Sequence, residues 1–531
     1  MKVIMLGLDG MTLKVIEPYV KENLLPNFKK IMEHGAHGVL SSTVPSVTGP
    51  AWTSLGTGKN PGKHGIYEFR TRDGYKTNII TKNTSVNAKP VWNILSRNGK
   101  RVAVINVPFT YPPDEVNGVM ISGMMTPNIN TDFVYPKEFK KELFELIPRY
   151  RLEINISDFL RTNKISAFLK TVTEVTGSRR KLMNYLLEKN SPDLLFIVYT
   201  GPDRVQHVLW DQVVEMDPGC VKFYQLLDEI VGDVLKRTDD DTVLFIVSDH
   251  GFMSSKKAFN INAFFRKMGL LEIRGNSEMK LKKPTFLVYR FLNRLGFFAL
   301  KKYLPTRIVN MIRNYLLTIG IEGKIDWDKT RVFSLLMYGL IHINLKGREP
   351  RGIVDQEDYQ QLRETVRKEL LDLNDPETGR KVIKNVFKGD EIYSSENIQD
   401  HPDLVVEMNE GYFIEEKYFG DDIWANENEV KHTGNHDRNG LIMAYGKIIN
   451  HMKIDADIID IMPTLLYIMG TAIPEDVDGR VVTEMIDHNF VNKNNINFEA
   501  SEANLYPEGS TLDEDELEEV EKQLKNLGYF S

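Results

Sequence analysis

The sequence lacks the features that mark disulfide-stabilised, membrane-spanning and nucleic-acid-binding proteins. It contains one cysteine, Cys220, among 531 residues, so no disulfide can form within the chain. No apolar run approaches the roughly 20 residues that cross a bilayer, and the N-terminus has neither the apolar length nor the cleavage site of a signal peptide. The net charge of −7 gives no sign of nucleic-acid binding. We therefore expect a cytoplasmic protein.

Short β-branched runs alternate with amphipathic stretches in the first half of the chain and again near its end. Hydrophobic residues make up 42% and charged residues 27%, as in ordinary globular domains. The alternation predicts an α/β fold with a central, mostly parallel sheet between helices. The predicted strands are 3–8, 101–106, 194–199, 243–247 and 440–445, and the predicted helices are 25–34, 90–98, 179–189, 223–235 and 458–469.

The pattern changes between about residue 254 and residue 430, where we predict an inserted cap over the sheet. Its predicted elements are a basic helical stretch at 286–317, strands at 332–337, 340–345 and 404–408, and a helix at 359–373. An Asn-rich linker at 490–510 and a charged helix at 512–527 follow the sheet. We therefore divide the chain into a first part of the α/β core at 1–254, the cap at 255–430, a second part of the core at 431–489, and the linker and acidic helix at 490–531.

Carboxylates and imidazoles stand at the ends of several predicted strands. Asp9 follows the first strand, Asp249 and His250 follow the fourth, and Asp203 follows the third with His207 four residues later. On a helix this spacing of four places both side chains on one face. His436 lies in a glycine-framed turn. A single aspartate at a strand end more often caps a helix, but three such strand ends, two of them with a histidine, indicate one shared site.

Oxygen and nitrogen ligands of these types suit Zn²⁺ or Mn²⁺. Open α/β sheets bind ligands at the carboxyl ends of their strands, where these side chains are predicted to meet. Two divalent ions held close together can clamp the attacking and leaving oxygens of a displacement at phosphorus. A hydroxyl nucleophile is available in the Ser/Thr-rich turn at 42–53, but position alone does not choose between Ser46, Thr48 and Thr53.

The chain resembles the alkaline phosphatase superfamily, in particular its type I phosphodiesterase/nucleotide pyrophosphatase family. The matching segments span residues 8 to 479 and occur in order. They are Leu8-Asp9-Gly10, Leu25-Pro26-Asn27, Pro45-x-x-Thr48-x-Pro50, Thr57-Gly58, Pro61-x-x-His64-Gly65-Ile66, Pro202-Asp203-x-x-x-His207, Ser248-Asp249-His250-Gly251, Gly434-x-His436, Asp460-Ile-Met-Pro463-Thr464 and Asp478-Gly479. As an ordered set these segments are highly specific, whereas Asp-His-Gly alone is weak.

The resemblance implies an alkaline-phosphatase-like sheet sandwiched by helices and a metal-dependent hydrolase of phosphate esters. It implies two divalent ions, commonly zinc and in some branches manganese. The residues it places at the metals fall into two groups: Asp9, Asp249 and His250 with the Thr48 oxygen, and Asp203, His207 and His436. It further implies that Thr48 attacks phosphorus and forms a phospho-threonine intermediate, which water then hydrolyses.

One position departs from the family pattern. Nucleotide pyrophosphatases of the family carry an asparagine three residues after the isoleucine of His-Gly-Ile, where it helps to bind a phosphoryl oxygen; here Phe69 stands in that place. Asn106 and Lys89 are candidate replacements by residue type only. We also expect that the Glu68 carboxylate would disfavour a dianionic substrate if it faced the site.

Other functions remain open at this stage. The first alternative is a phosphoryl or phospho-alcohol transferase or phosphomutase of the same superfamily, although a mutase usually carries a serine nucleophile. The second is a metal-binding protein without turnover. Sulfatase activity is disfavoured because Cys220 lies outside the required motif.

The sequence also indicates classes of partner. We expect a phosphate-ester small molecule or a lipid-linked substrate. The stretch 286–313 carries six cations among four phenylalanines and is a candidate for peripheral membrane contact. The alternative is a cap helix whose cations are merely solvated. The helix at 512–527 is expected to pack on the body of the protein or on a second subunit in a homo-oligomer.

Overall fold

The computed structural model describes residues 1–79, 88–274, 325–393, 401–415, 422–424, 432–501 and 512–527, without the side chains of residues 158, 161 and 514. The basic stretch at 286–317 lies outside the described residues, so the membrane contact suggested for it stays a prediction. Among the helices within these ranges, none combines the length and the apolar character that crossing a membrane requires.

A ten-stranded, mostly parallel sheet forms the centre of the protein. In spatial order its strands are Met452–Lys453, Ala36–Ser41, Asn439–Tyr445, Thr242–Val247, Lys2–Leu8, Leu194–Tyr199, Val102–Ile105, Gly118–Ile121 and Val134–Tyr135, and Ala456–Asp457 pairs beside Ala36–Ser41. The strand Lys2–Leu8 lies between two parallel neighbours, Thr242–Val247 and Leu194–Tyr199. The carboxyl ends of these three strands therefore meet at one edge, which confirms the predicted α/β sheet.

Helices cover both faces of the sheet. Along Lys2–Leu8, Ile4 and Leu6 enter one apolar core while Val3 and Met5 enter the other, as the alternation of side chains along a strand requires. Within the described ranges the helices, including two 3₁₀ turns, are Leu13–Lys21, Pro26–His34, Thr48–Thr57, Pro61–His64, Val91–Arg97, Phe139–Leu146, Ser157–Thr162, Ile165–Lys189, Gly201–Val214, Pro218–Leu235, Ile261–Lys267, Gln356–Leu371, Gly389–Ile392, Ile458–Asp460, Ile461–Ile468, Thr483–Met485, His488–Lys493 and Glu514–Asn526.

The part of the predicted cap that the structure describes contains its own sheet and apolar core. The sheet consists of Val332–Phe333, Leu340–Ile343, Leu404–Met408 and Ile383–Lys388. The strand predicted at 332–337 is shorter, because the Ser334 backbone pairs with the Asn262 side-chain amide at 3.1 and 2.9 Å instead of with a neighbouring strand. The strand Gly251–Asn260 crosses the predicted boundary at 254 and pairs with Gly411–Glu415 and Gly434–Asp437. The domain division stays a prediction.

The C-terminal segments pack back onto the body of the protein. The first part of the predicted linker is structured, since Phe498–Glu499 pairs with Ile473–Pro474 after the helix His488–Lys493. The predicted charged helix runs over Glu514–Asn526 and starts with a capping box. Its buried apolar residues join one cluster, here called the tail cluster, with side chains from early in the chain. The cluster comprises Val47, Ile66, Phe69, Ala88, Phe109, Met124, Met125, Val520, Leu524 and Leu527.

Candidate active site

The three adjacent strand ends bring most of the predicted ligands together. Asp9 follows Lys2–Leu8 in a turn that Gly10 closes with a φ of +71°, a conformation that favours glycine. The Gly10 amide donates to Asp249 Oδ1 at 3.2 Å and so ties this turn to the end of the neighbouring strand. Asp9, Asp249 and His250 are completely buried.

The remaining predicted ligands come from one helix and one short strand. Asp203 lies in the first turn of the helix Gly201–Val214, and His207 lies one turn later on the same face. His436 lies in the strand Gly434–Asp437, where it pairs with Phe252 two residues beyond His250. The structure therefore places all six predicted side chains in one buried region at the carboxyl edge of the sheet.

Two ligand sets can be recognised in this region. In the first set, His250 Nε2 lies 3.6 Å from Asp9 Oδ1 and 3.3 Å from Asp249 Oδ2. In the second set, Asp203 Oδ1 lies 3.3 Å from both His207 Nε2 and His436 Nε2. The sets adjoin, because His250 Nε2 lies 4.0 Å from Asp203 Oδ1.

The orientation of the three histidine rings is fixed by backbone carbonyls. The Nδ1 atoms of His207, His250 and His436 lie 3.2, 3.1 and 3.0 Å from the carbonyl oxygens of Gly434, Gly251 and Ser46. A carbonyl only accepts a hydrogen bond, so each Nδ1 carries a proton and Nε2 is the ring nitrogen that faces the ligand sets. Metal-binding histidines are typically held in this way.

The arrangement of the buried carboxylates is suited to binding a cation. Both oxygens of Asp9, Oδ1 of Asp203 and Oδ2 of Asp249 are buried without a hydrogen-bond partner. Unpaired buried charges of this kind cost several kcal/mol each. In each of two groups, Asp9 with Asp249 and His250, and Asp203 with His250 and His436, the ligand atoms lie within 4.8 Å of one another. The donors thus fit divalent metal ions.

The electrostatics of the site agree with this fit. Burial, together with mutual repulsion, raises the pKa of Asp9 well above its usual range, and burial also raises the pKa of Asp249. Burial alone would raise the pKa of Asp203, but His207 and Arg204 hold it well below the usual range. Burial lowers the pKa of His250 and of His436, so both rings are neutral, as metal ligation requires.

Thr48 is the first residue of the helix Thr48–Thr57, and its hydroxyl faces the first ligand set. Its Oγ1 lies 3.3 Å from His250 Nε2. The other two candidate hydroxyls are placed differently. Thr53 Oγ1 donates back to the Gly49 carbonyl at 2.8 Å, and Ser46 contributes its carbonyl to His436. Of the three, Thr48 is therefore the one whose hydroxyl contacts a predicted ligand in the described structure.

The residues at the departure from the family pattern are buried. Phe69 packs in the tail cluster and stacks on Phe109 with ring centroids 5.8 Å apart. Glu68 is fully buried, and burial raises its pKa to about 8, so it is neutral at pH 7. Asn106 is also fully buried, and its Oδ1 accepts from the Tyr150 hydroxyl at 2.7 Å. Lys89 lines a small cavity beside Thr57, at the opposite end of the helix Thr48–Thr57 from Thr48.

Several residues at the site carry no signal that the sequence reveals. Phe252 packs its ring against His207, His250 and His436. Tyr338, from the predicted cap, stacks on His436 with centroids 6.1 Å apart and has a φ of +64°. Non-glycine residues with positive φ are uncommon and concentrate at functional sites. Arg204 was detectable only as the neighbour of Asp203.

Comparison with known proteins gives a family match and distant structural neighbours. The family model described as type I phosphodiesterase / nucleotide pyrophosphatase matches residues 3–439. No curated protein matches the chain. Human ectonucleotide pyrophosphatase / phosphodiesterase 5 is 15% identical, with a TM-score of 0.49 over 92% of this chain and 100% of that chain. The murine protein of the same name, solved as an inactive form in complex with AMP, is 14% identical, with a TM-score of 0.48 over the same shares.

Proposed function

The chain belongs to the type I phosphodiesterase/nucleotide pyrophosphatase family of phosphoric ester hydrolases, and from this premise we propose that it cleaves phosphodiesters through a phospho-threonine intermediate on Thr48. The observation that carries the proposal is the position of the Thr48 hydroxyl, buried at a helix N-terminus and 3.3 Å from His250 Nε2. No other hydroxyl among the candidates combines these features.

Two divalent cations complete the proposed site. Asp9, Asp249 and His250 would hold one beside the Thr48 oxygen, and Asp203, His207 and His436 would hold the other. The nitrogen and carboxylate donors favour zinc, with manganese as the alternative. When bound, such ions lower the pKa of a nearby hydroxyl and neutralise charge on phosphoryl oxygens.

The protein's own groups orient the nucleophile. Thr48 Oγ1 forms a new bond to phosphorus as the bond to the leaving alcohol breaks, and the proton lost by the threonine balances the one that the alcohol takes up. Water then cleaves the threonine–phosphorus bond and restores the hydroxyl. The N-terminus of the helix Thr48–Thr57 favours the negative charge that develops on the phosphoryl group.

The charge of the site favours a diester or pyrophosphate over a monoester dianion. Three aspartates and two divalent cations leave one net positive charge, which matches a singly charged diester. Arg204 adds no free cation, since its guanidinium donates to Asp203 Oδ2 and pairs with Glu153. Glu68, being neutral and buried, adds no repulsion at pH 7.

The test compares Thr48→Ala with Thr53→Ala, which removes a hydroxyl from the same helix. With bis-p-nitrophenyl phosphate as substrate, Thr48→Ala should lose at least about a thousandfold in kcat and keep its bound metal. Thr53→Ala should retain activity. Acid-quenched wild-type protein should carry the nitrophenyl-phosphoryl group on the peptide that contains Thr48. Full activity of Thr48→Ala would show that another hydroxyl or water attacks.

The same reaction distinguishes hydrolysis from transfer. A hydrolase should release its phosphoryl product to water even when an acceptor alcohol is added at high concentration. Predominant formation of a new ester would instead support the transferase alternative. Comparing p-nitrophenyl phosphate with the diester tests the charge argument, which predicts a higher kcat/KM for the diester.

A further inference from the structure

A buried arginine lies directly behind the second ligand set. Arg204 is completely buried, and its Nη1 donates to Asp203 Oδ2. Its Nη2 lies 3.4 Å from Glu153 Oε2. We propose that Arg204, supported by Glu153, is a positioning residue that holds Asp203 by one carboxylate oxygen so that the other always faces the metal. This inference rests on the proposed function, because it concerns a metal ligand of that site.

The two oxygens of Asp203 have separate surroundings. Oδ2 accepts a charge-assisted hydrogen bond from the guanidinium, while Oδ1 has no hydrogen-bond partner and points between the Nε2 atoms of His207 and His436. Because bonds to ionised groups are roughly twice as strong as neutral ones in a buried environment, rotating this carboxylate would break its strongest contact. Asp203 is therefore restricted to binding through one oxygen.

The support for Arg204 extends to the end of a sheet strand. Thr200 Oγ1 lies 3.4 Å from Glu153 Oε2, and it accepts a hydrogen bond from Arg179 Nη1 at 3.0 Å. Arg179 also donates to the carbonyls of Val198 and Leu152 at 3.2 and 2.7 Å. The side chains of Arg179, Arg204, Glu153 and Asp203 are at most 5% exposed. This buried network of charged side chains connects the ligand to the strand Leu194–Tyr199.

Lysine cannot replace Arg204 in this role. The arginine guanidinium presents several donors in a fixed plane and can contact two carboxylates at once. The lysine ammonium stands on a shorter side chain and acts as a point charge. Loss of such supporting contacts typically weakens metal binding by about 10-fold to 100-fold. We therefore expect Arg204→Lys to lower the affinity for one of the two metal ions by about this factor and to leave the affinity for the other unchanged.

The matched control is Arg180→Lys. Arg180 also pairs with two carboxylates, donating to Asp233 at 2.7 Å and to Glu229 at 2.5 Å, but neither is a predicted ligand. The full-length proteins are stripped with a chelator and dialysed against graded Zn²⁺ or Mn²⁺, and the ions per chain are counted by mass spectrometry. Circular dichroism and thermal unfolding are recorded for each protein. These readouts separate weakened metal binding from loss of folding.

Each result has a defined meaning. The proposal is supported if the wild type and Arg180→Lys bind two ions tightly and Arg204→Lys binds one of the two more weakly. Wild-type affinity for both ions in a folded Arg204→Lys would overturn it. If that variant does not fold, the double variant Arg204→Met/Glu153→Gln removes the contact without changing the net charge of the network, and it must also weaken the binding of one ion. If the wild type itself binds no ion, both the proposed function and this inference fail. If the wild type binds two ions and Arg204→Lys binds them equally well, this inference alone fails.

Discussion

Glu68 offers a quantitative test of the structure. Its carboxyl group is fully buried. Burial raises its pKa from 4.5 to about 8, although nearby Arg70 acts in the opposite direction. The folded protein therefore keeps a proton that the unfolded chain releases near pH 4.5. The contribution of this group to stability is full below pH 4.5 and is lost as the pH rises through 8.

The change to test is Glu68→Gln, which keeps the shape and removes the titration. At about 1.36 kcal/mol per pKa unit, the shift in pKa from 4.5 to about 8 corresponds to roughly 5 kcal/mol above pH 8 and about 3 kcal/mol at pH 7. The free energy of unfolding of the variant should therefore rise relative to the wild type by these amounts as the pH is raised. Burying the glutamine amide changes the free energy of unfolding by an amount that does not depend on pH. The test is therefore how the difference between the variant and the wild type changes with pH.

The assay is urea unfolding followed by tryptophan fluorescence between pH 5 and pH 9 at saturating metal. Metal binding depends on pH in both proteins and cancels in the difference. Glu369→Gln, at an exposed position, is the control and should follow the wild type. An infrared band of a protonated carboxyl group should be present in the wild type at pH 7 and missing in Glu68→Gln. Parallel pH profiles for Glu68→Gln and the wild type would refute the reasoning.

Two further predictions concern the tail and the metals. Leu524→Ala should lower the free energy of unfolding by about 2–5 kcal/mol, measured by urea unfolding, whereas the exposed Lys522→Ala should change it little. Chelation should lower the free energy of unfolding by about 2.7 kcal/mol for each site at which the free metal concentration was 100 times the Kd. This loss should shrink at acid pH, because burial raises the pKa of Asp9 and of Asp249 and lets the metal-free protein bind protons there; an equal loss at pH 5 and pH 8 would contradict it.

The sequence predicted the strand ends well because the relevant signal is local. The run at 194–199 reads as a buried strand, and the structure has Leu194–Tyr199 with the same bounds. A carboxylate after each of three parallel strands must lie at the shared edge, whatever the order of the strands. Helix starts were less accurate. The helix predicted from 179 begins at Ile165, and its first turns already carry a buried apolar stripe of Phe168, Leu169, Val172 and Val175 that the prediction overlooked.

Other parts of the site depend on contacts between distant segments and could not be predicted. Glu153 pairs with Arg204 across 51 positions from a loop that carries no motif. Phe69 was identified as standing where the family carries a phosphate-binding asparagine, and its surroundings come from the tail cluster, whose last members are more than 400 residues later in the chain. Neither pairing leaves a periodic or spacing signal in a single sequence.

The tail cluster also has a consequence for how the chain is made. Phe69 and Phe109 share a cluster with Val47, next to Thr48, and emerge early from the ribosome, while their partner Leu524 follows about 400 residues later. At typical synthesis rates this interval lasts roughly 20 to 80 s. During that time the nascent protein exposes an aromatic surface beside Thr48. The growing polypeptide would accordingly depend on chaperones until the helix Glu514–Asn526 arrives.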